Sequence, residues 1–404
     1  MRKRVILYFG DVFWCTVPYS GLSLFHELSK DFEVFPVFQS NDIRLYKEWD
    51  GSEKYHFNKD FFSEIDPIET SNLVETYKKL GADLTITPCQ MQFKNQFASR
   101  NRALRSEGCK IGLWDVGGSD GLWCPSGKTG WEIFFSKGQA WKDKMVDSSS
   151  LKALPHVMSE DDSKIFLTGC LDYDEMFDDY NFKLRVPVLT KREFCDKYGL
   201  DVNRPIIAYA PANPRPDQNY RYPDGTSARQ ALTNINDTLF DLSSNEGYQV
   251  CFKTHPGDYM DGNPSDSTKY NGVHPRARMG SYKGPRYLCD GFDKFTTISA
   301  EDGYNLYRLC DFGVTNYSHV GYEFFLLKKP IISYGMKYTN EWQFVDNLCE
   351  NVYTDIFSKE ELKTLILDGG FNINFKDEYA NKFFVQRSGS AYKKIAKSIR
   401  SYNL

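Results

Sequence analysis

The chain has 404 residues, of which 41% are hydrophobic and 26% charged, with a formal net charge of -4. That balance excludes a disordered chain and a uniformly basic nucleic-acid coat. No apolar run reaches the roughly 18–20 residues of a membrane span.

The length predicts two domains. The opening MRKRVILYFGD has a short apolar run that stops at Asp11. It is too short for a signal-peptide core and reads as a first strand, so a cytoplasmic protein is expected. The ten cysteines are scattered without a C-x-x-C pair, which points to buried free thiols. The six histidines lack the i, i+4 spacing of a helical zinc site. Neither a protein-bound metal nor a tightly bound cofactor is expected.

In chain order, VILYF at 5–9 predicts a buried strand. Residues 19–30 have apolar residues at helical spacing, with Ser20 as the expected N-cap. A strand follows at 32–38, then Ser40-Asn41-Asp42 as the cap of a helix IRLYKEW. A helix at 73–80 leads into a strand at 84–87 that should break at Pro88. Strands are predicted at 110–114 and 133–136, the first running into Asp115-Val116-Gly117-Gly118. The polar stretch 147–162 reads as the inter-domain connection.

A second series then begins, with strands at 165–168, 205–209, 250–253, 312–315 and 330–334. Helices are predicted at 191–198 (capped by Gly199), 304–309 and 319–327, and a long amphipathic one at 379–402. Alternating short apolar strands and helices indicate parallel βαβ units. The expected fold class is α/β, two facing Rossmann-like domains. Their boundaries are 1–155 (acceptor) and 156–375 (nucleotide donor), with a C-terminal helix at 376–404 that could cross back to the first domain.

In such sheets the ligand sits beyond the carboxyl ends of the strands. Four loops fall there in the second half: Thr168 to Asp174, Tyr209 to Arg215, Lys253-Thr254-His255-Pro256, and Thr315 to Glu323. In the last, free amides at a helix start and the Ser318 hydroxyl suit phosphate oxygens. Glu323, one turn into that helix, could accept ribose hydroxyls, or could simply be solvated. His255 could bond a diphosphate and stabilise a leaving group, with Lys253 adding charge.

These loops, in this order, resemble the CDP-glycerol glycerophosphotransferase family and the wider two-domain (GT-B) glycosyltransferases. That family carries a TG-x-P-R-x-D-like loop, a YAPTW loop, an R-x-HP loop and a TDYSS loop followed by KP-I-I. Here the matches are Thr168-Gly169 with Asp174, Tyr209-Ala210-Pro211, His255-Pro256, and Thr315-Asn316-Tyr317-Ser318 with Lys329-Pro330-Ile331. The resemblance implies a transferase using a CDP- or UDP-linked donor. It implies that His255, Ser318 and His319 contact the donor diphosphate, with Lys253, Arg215, Thr315 and Asn316 in the same loops. Glu323 or the Asn213 loop would hold the nucleoside.

Where the family has WHG, with its histidine as base, this chain reads Trp114-Asp115-Val116-Gly117. Asp115 is therefore the candidate base and Asp11 the reserve. The apparent insertion at 257–290 contributes Arg276, Arg278 and Arg286 among tyrosines, and the Asn213 loop adds Arg221 and Arg229. Arg100, Arg102 and Arg105 cluster in the first half. Basic and aromatic loops suit a polyanionic acceptor, either a teichoic-like surface glycan or hydroxymethylated DNA. Three alternatives remain: a metal-dependent GT-A transferase using Asp172-Tyr173-Asp174, a sugar-nucleotide 2-epimerase, and a non-catalytic binding module.

Overall fold

The computed structural model describes residues 2–9, 17–39, 65–89, 94–115, 131–146, 162–177, 180–182, 184, 186–211, 225–253, 295–298, 302–316, 320–335, 353–369, 385 and 389–402. The chain forms two compact units: Met1–Leu184 with Asp377–Leu404, and Arg185–Lys376.

The first unit holds a seven-stranded sheet. Its strands are β1 (Arg4–Tyr8), β2 (Glu33–Gln39), β3 (Ile68–Thr70), β4 (Leu84–Cys89), β5 (Lys110–Asp115), β6 (Ile133–Ser136) and β7 (Ile165–Leu167). They lie in the order β3-β2-β1-β4-β5-β6-β7, and all pair parallel. The helices are α1 (Val17–Leu28), α2 (Leu73–Leu80), α3 (Lys94–Ser106) and α4 (Gln139–Val146). The unbroken apolar run of β1 is what a strand covered on both faces needs. Asn72 caps α2 by accepting from the Val74 and Glu75 amides, and Gly81 ends it at φ 61.

The structure moves three expected boundaries. α1 starts at Val17, so Ser20 lies inside the helix rather than at its cap. Pro18 suits that first turn, where a missing N–H costs no helical bond. β4 runs through Pro88 to Cys89. Its pairing with β1 ends at Leu7–Ile86 while pairing with β5 continues, so the proline meets an edge-like condition that a sheet accepts. β7 does not open the second series, because it pairs with β6. The first unit therefore extends past the expected junction to Leu184.

The second unit carries β8 (Ile206–Tyr209), β9 (Gln249–Lys253), β10 (Thr296–Ile298), β11 (Phe312–Thr315), β12 (Ile331–Tyr334) and β13 (Tyr353–Ile356). They form one sheet in the order β10-β9-β8-β11-β12-β13, also parallel throughout. The helices are α5 (Lys191–Tyr198), α6 (Ala228–Asn245), α7 (Gly303–Leu309), α8 (Gly321–Leu326) and α9 (Lys359–Leu367). α5 has a capping box, Thr190 with Glu193, and stops at Gly199. Ile207, Leu239, Phe252 and Ile332 meet in the core between this sheet and its helices.

The C-terminal helix α10 (Ala391–Ser401) is shorter than the sequence suggests. Gly389, at φ 118, precedes its start, and the residues at 370–384 are outside the described set. α10 belongs to the first unit, so the C-terminus does cross back. Ile395, Ala396 and Ile399 enter the core beside Leu24 and Leu28 of α1. The fully buried Asp174 accepts from the amides of Ala391 (2.7 Å) and Tyr392 (2.9 Å). A carboxylate there satisfies two orphan donors and opposes the helix dipole. At the other end, Arg400 donates to Asp31 (2.6 Å) and Glu27 (3.0 Å).

Two outcomes test this anchoring. Asp174→Ala should lower unfolding stability in urea by about 3 kcal/mol, two charge-assisted bonds at roughly 1.5 kcal/mol each. Glu27 is pushed up by burial, but hydrogen bonds from Lys30 and Arg400 outweigh this and hold its carboxyl below the ordinary 4.5. The unfolded chain then binds the proton more readily, so this contribution is present above pH 4.5 and fades as pH falls below it. Glu27→Gln should flatten that acid limb in unfolding measured from pH 7 downward.

Candidate active site

Parallel pairing places the carboxyl ends of β9, β8 and β11 side by side. Tyr209 is in register with Phe252 on one flank and Val314 on the other. Ala210 donates from its amide to the Val314 carbonyl (3.0 Å). The Thr315 hydroxyl donates back to the Ala210 carbonyl (2.7 Å). Two of the four loops singled out in the sequence are thus tied together where they leave the sheet. Lys253 closes β9 on the same edge, level with Ile298 of β10.

α7 supplies a glycine beside that lysine. A Cβ on Gly303 would fall 3.2 Å from Lys253 Cε and 3.8 Å from the Tyr307 hydroxyl. The lysine stem and the phenol therefore converge over one bare backbone position. Burial, and then the negative charge of Glu323, push the Tyr307 phenol well above its ordinary value. The Tyr307 ring packs on Phe324 at 5.0 Å. α8 sits tightly on β11, since a Cβ on Gly313 would come within 2.6 Å of the Phe324 ring. Tyr307 thus links Lys253 and Glu323: its phenol lies beside the Lys253 stem over Gly303 and feels the Glu323 charge. Tyr307 and Gly303 were not singled out in the sequence. A glycine opening a helix next to the β10 end was the available signal.

The other expected residues divide as follows. Thr315 and Asn316 are fully buried, and the Thr315 hydroxyl is committed to Ala210, so Thr315 braces the loop rather than offering its hydroxyl to a donor. Glu323 lies inside α8 as expected. Asp115 ends β5; its side chain is outside the described set. Asp11, Asn213, Arg215, Arg221, His255, Arg276, Arg278, Arg286, Ser318 and His319 also lie outside it, as does the helix expected at 43–49. Arg229 is in the first turn of α6, not in a loop.

Two of the arginines of α3 engage different partners. Arg100 lies over the Tyr8 ring, 4.5 Å from its centroid, whereas Arg105 pairs with Glu132 at 2.7 Å. Asp172 and Asp174 do not form an open metal site: both are buried, and Asp174 gives both oxygens to α10. That and the second parallel sheet overturn the single-domain GT-A alternative. Among the described residues no three His, Cys, Asp or Glu side chains cluster as a metal site, and no helix is long and apolar enough to cross a membrane. The described free cysteines are all buried, and burial raises the Cys109 thiol to about 11 and that of Cys251 to about 12.

Three buried groups stand apart. Thr87 Oγ1, both amide atoms of Asn101 and Trp114 Nε1 have no hydrogen-bond partner among the described residues. Each such group costs about 1–3 kcal/mol if left so.

The fold matches solved structures along essentially the whole chain. MnaA of S. aureus, solved with UDP, aligns at TM-score 0.56 and 12% identity over 100% of this chain and 97% of that one. The UDP-GlcNAc 2-epimerase of Neisseria meningitidis, bound to UDP-GlcNAc, aligns at 0.56 and 11% over 99% and 100%. The wall teichoic acid polymerase TagF with CDPG aligns at 0.54 and 14% over 99% and 88%. These likenesses establish a GT-B fold. No curated protein sequence matches. The family model for CDP-glycerol:poly(glycerophosphate) glycerophosphotransferase matches residues 152–400, more than half of the chain. The chain therefore belongs to that family and is a transferase that uses a nucleotide-diphosphate donor.

Proposed function

We propose that this chain moves a group from a CDP- or UDP-linked donor to a hydroxyl of a polyanionic acceptor, without a metal and with inversion. The observation that carries the reading is the family match over 152–400, which takes in every strand of the second sheet and so the edge where Lys253, Ala210 and Thr315 meet. Transferases of this chemistry need a clamp for the donor diphosphate and a base for the acceptor; the departing group is CMP when glycerol phosphate moves and a nucleoside diphosphate when a sugar moves.

In this reading Lys253, His255 and the helix start after Ser318 and His319 neutralise the diphosphate. Glu323 and the loop with Asn213 and Arg215 face the nucleoside. Asp115 takes the proton from the acceptor hydroxyl, with Asp11 in reserve. The acceptor oxygen bonds to the transferred atom as that atom's bond to the leaving phosphate oxygen breaks. The pair of electrons leaves with the nucleotide, and a sugar donor would be inverted at its anomeric centre. The Arg221, Arg276, Arg278 and Arg286 segments suit an acceptor rich in phosphate. A phosphate polymer is favoured over hydroxymethylated DNA by the poly(glycerophosphate) acceptor of the family. A second reading, 2-epimerisation of a nucleotide sugar, is supported by the fold shared with the Neisseria enzyme.

The test is chromatographic. CDP-glycerol with a poly(glycerophosphate) acceptor should be consumed to give CMP and a longer polymer. Conversion of UDP-GlcNAc in the absence of acceptor would favour the epimerase instead. His255→Ala should reduce transfer by about 10²–10³-fold, and a loss under tenfold removes His255 from the mechanism. Asp115→Asn should cost about 10²–10⁴-fold in turnover with donor KM unchanged. Gly303→Ala crowds Lys253, so donor KM should rise a few-fold while turnover holds. An unchanged KM would separate Lys253 from the donor.

A further inference from the structure

We infer that Asp302 and Asn305 are positioning residues for the donor edge: together they fix α7, and through Gly303 they hold the Lys253 stem in place. The part that Lys253 plays toward a donor rests on the function proposed above. Asp302 precedes the first residue of α7, yet its carboxylate does not cap that helix. It is 3% exposed and is committed to α5 instead. One oxygen, Oδ2, accepts from Lys197 Nζ (2.5 Å) and from the Tyr198 hydroxyl (2.5 Å), both in the last turn of α5. The other accepts from Asn305 Nδ2 (3.2 Å). Burial alone would push this carboxyl up, but the bonds from Lys197, Tyr198 and Asn305 outweigh it and hold it below the ordinary 3.8. Its backbone carbonyl takes the first bond of α7, from the Leu306 amide (2.9 Å).

Asn305 is fully buried. Its Oδ1 accepts from the Leu189 amide (3.1 Å), and its Nδ2 donates to the Pro187 carbonyl (3.0 Å). One side chain thus holds an extended backbone segment in the manner of a neighbouring strand. That segment lies at the start of the second unit, directly before the Thr190 cap of α5. α7 is therefore tied to both ends of α5: by Asn305 just before its cap and by Asp302 at its last turn.

The consequence falls on Gly303, between the two residues. A Cβ there would lie 3.2 Å from Lys253 Cε, so the backbone of α7 is a wall against the lysine stem. β9 fixes the root of that stem and α7 confines its far end. A lysine loses much rotamer freedom when its ammonium is held by an anion. A stem already confined has less to lose, so the placement of α7 is read as affinity. An amide in place of the Asp302 carboxylate cannot keep the network. Its NH2 must face either Asn305 Nδ2 or the Lys197 and Tyr198 donors.

Isothermal titration of CDP into the full chain tests the inference. Asp302→Asn should weaken CDP about threefold or more, a coupling of the size that contacting residues show. Lys253→Met should weaken it about tenfold. Beside Lys253→Met, Asp302→Asn should change the affinity by less than about 1.5-fold, because its effect runs through that stem. In turnover with CDP-glycerol, the loss from Asp302→Asn should fall on donor KM, with kcat held within about twofold. Tyr198→Phe removes one bond and should weaken CDP about twofold; it decides the question where Asp302→Asn does not fold. Unchanged affinity in Asp302→Asn, or in Tyr198→Phe where that variant alone folds, overturns the inference. So does an effect of Asp302→Asn that persists undiminished beside Lys253→Met, which marks a general loosening of the unit. A wild-type chain that takes up no CDP overturns the donor reading and this inference with it. CDP uptake that the Asp302 variant leaves unmoved overturns the inference alone.

Discussion

Parallel pairing is the constraint on which the rest depends. When every strand in a sheet points the same way, all the carboxyl ends fall on one edge, and loops distant in sequence are gathered there. In the second unit the register of β9, β8 and β11 brings Lys253, Ala210 and Thr315 to that edge. The Thr315–Ala210 hydrogen bond fixes two of the loops to each other. Backbone geometry thus does most of the assembly, and a few side chains set the charge. Tyr307, buried against the Glu323 charge, stays a neutral phenol, and the Lys253 stem passes beside it over a bare glycine.

The first unit is completed by a piece of chain from the far end of the sequence. Asp174 is the hinge pin of that arrangement: it receives the start of α10, while Arg400 secures the end. The aspartate that looks metal-binding by its spacing is instead a helix cap. A fully buried carboxylate with each oxygen accepting a helix amide is committed to the fold and is not open to a cation held against a diphosphate. The same residue can therefore sit in a family motif for structural reasons, and its recurrence would mark the C-terminal return rather than the chemistry.

Much of this was legible in the sequence. Continuous apolar runs such as IIAY and IFFS announced buried parallel strands, and Gly199 marked a helix end at the right residue. Other features were hidden for physical reasons. Pro88 signals a strand break only if both flanks need its N–H, and pairing decides that. The strand at Ile165–Leu167 has the same apolar character whichever sheet it joins, so the unit boundary was read too early. The Ser227 cap of α6 is present in the sequence, but the arginines and tyrosines before it give that stretch the character of a loop. Thr315 looked like a ligand contact because a hydroxyl at a strand end suits a phosphate equally well as it suits a neighbouring carbonyl. Tyr307 carries no motif, and its place beside Glu323 and Lys253 arises from tertiary packing.

The central claim is that the carboxyl edge of the second sheet grips a nucleotide diphosphate. Hydrogen–deuterium exchange with and without CDP tests it most directly. Slowed exchange in peptides spanning 209–216, 253–258 and 315–324, with little change in the first unit, is the predicted result. Protection confined to the first unit, with those three segments unaltered at saturating nucleotide, would contradict it.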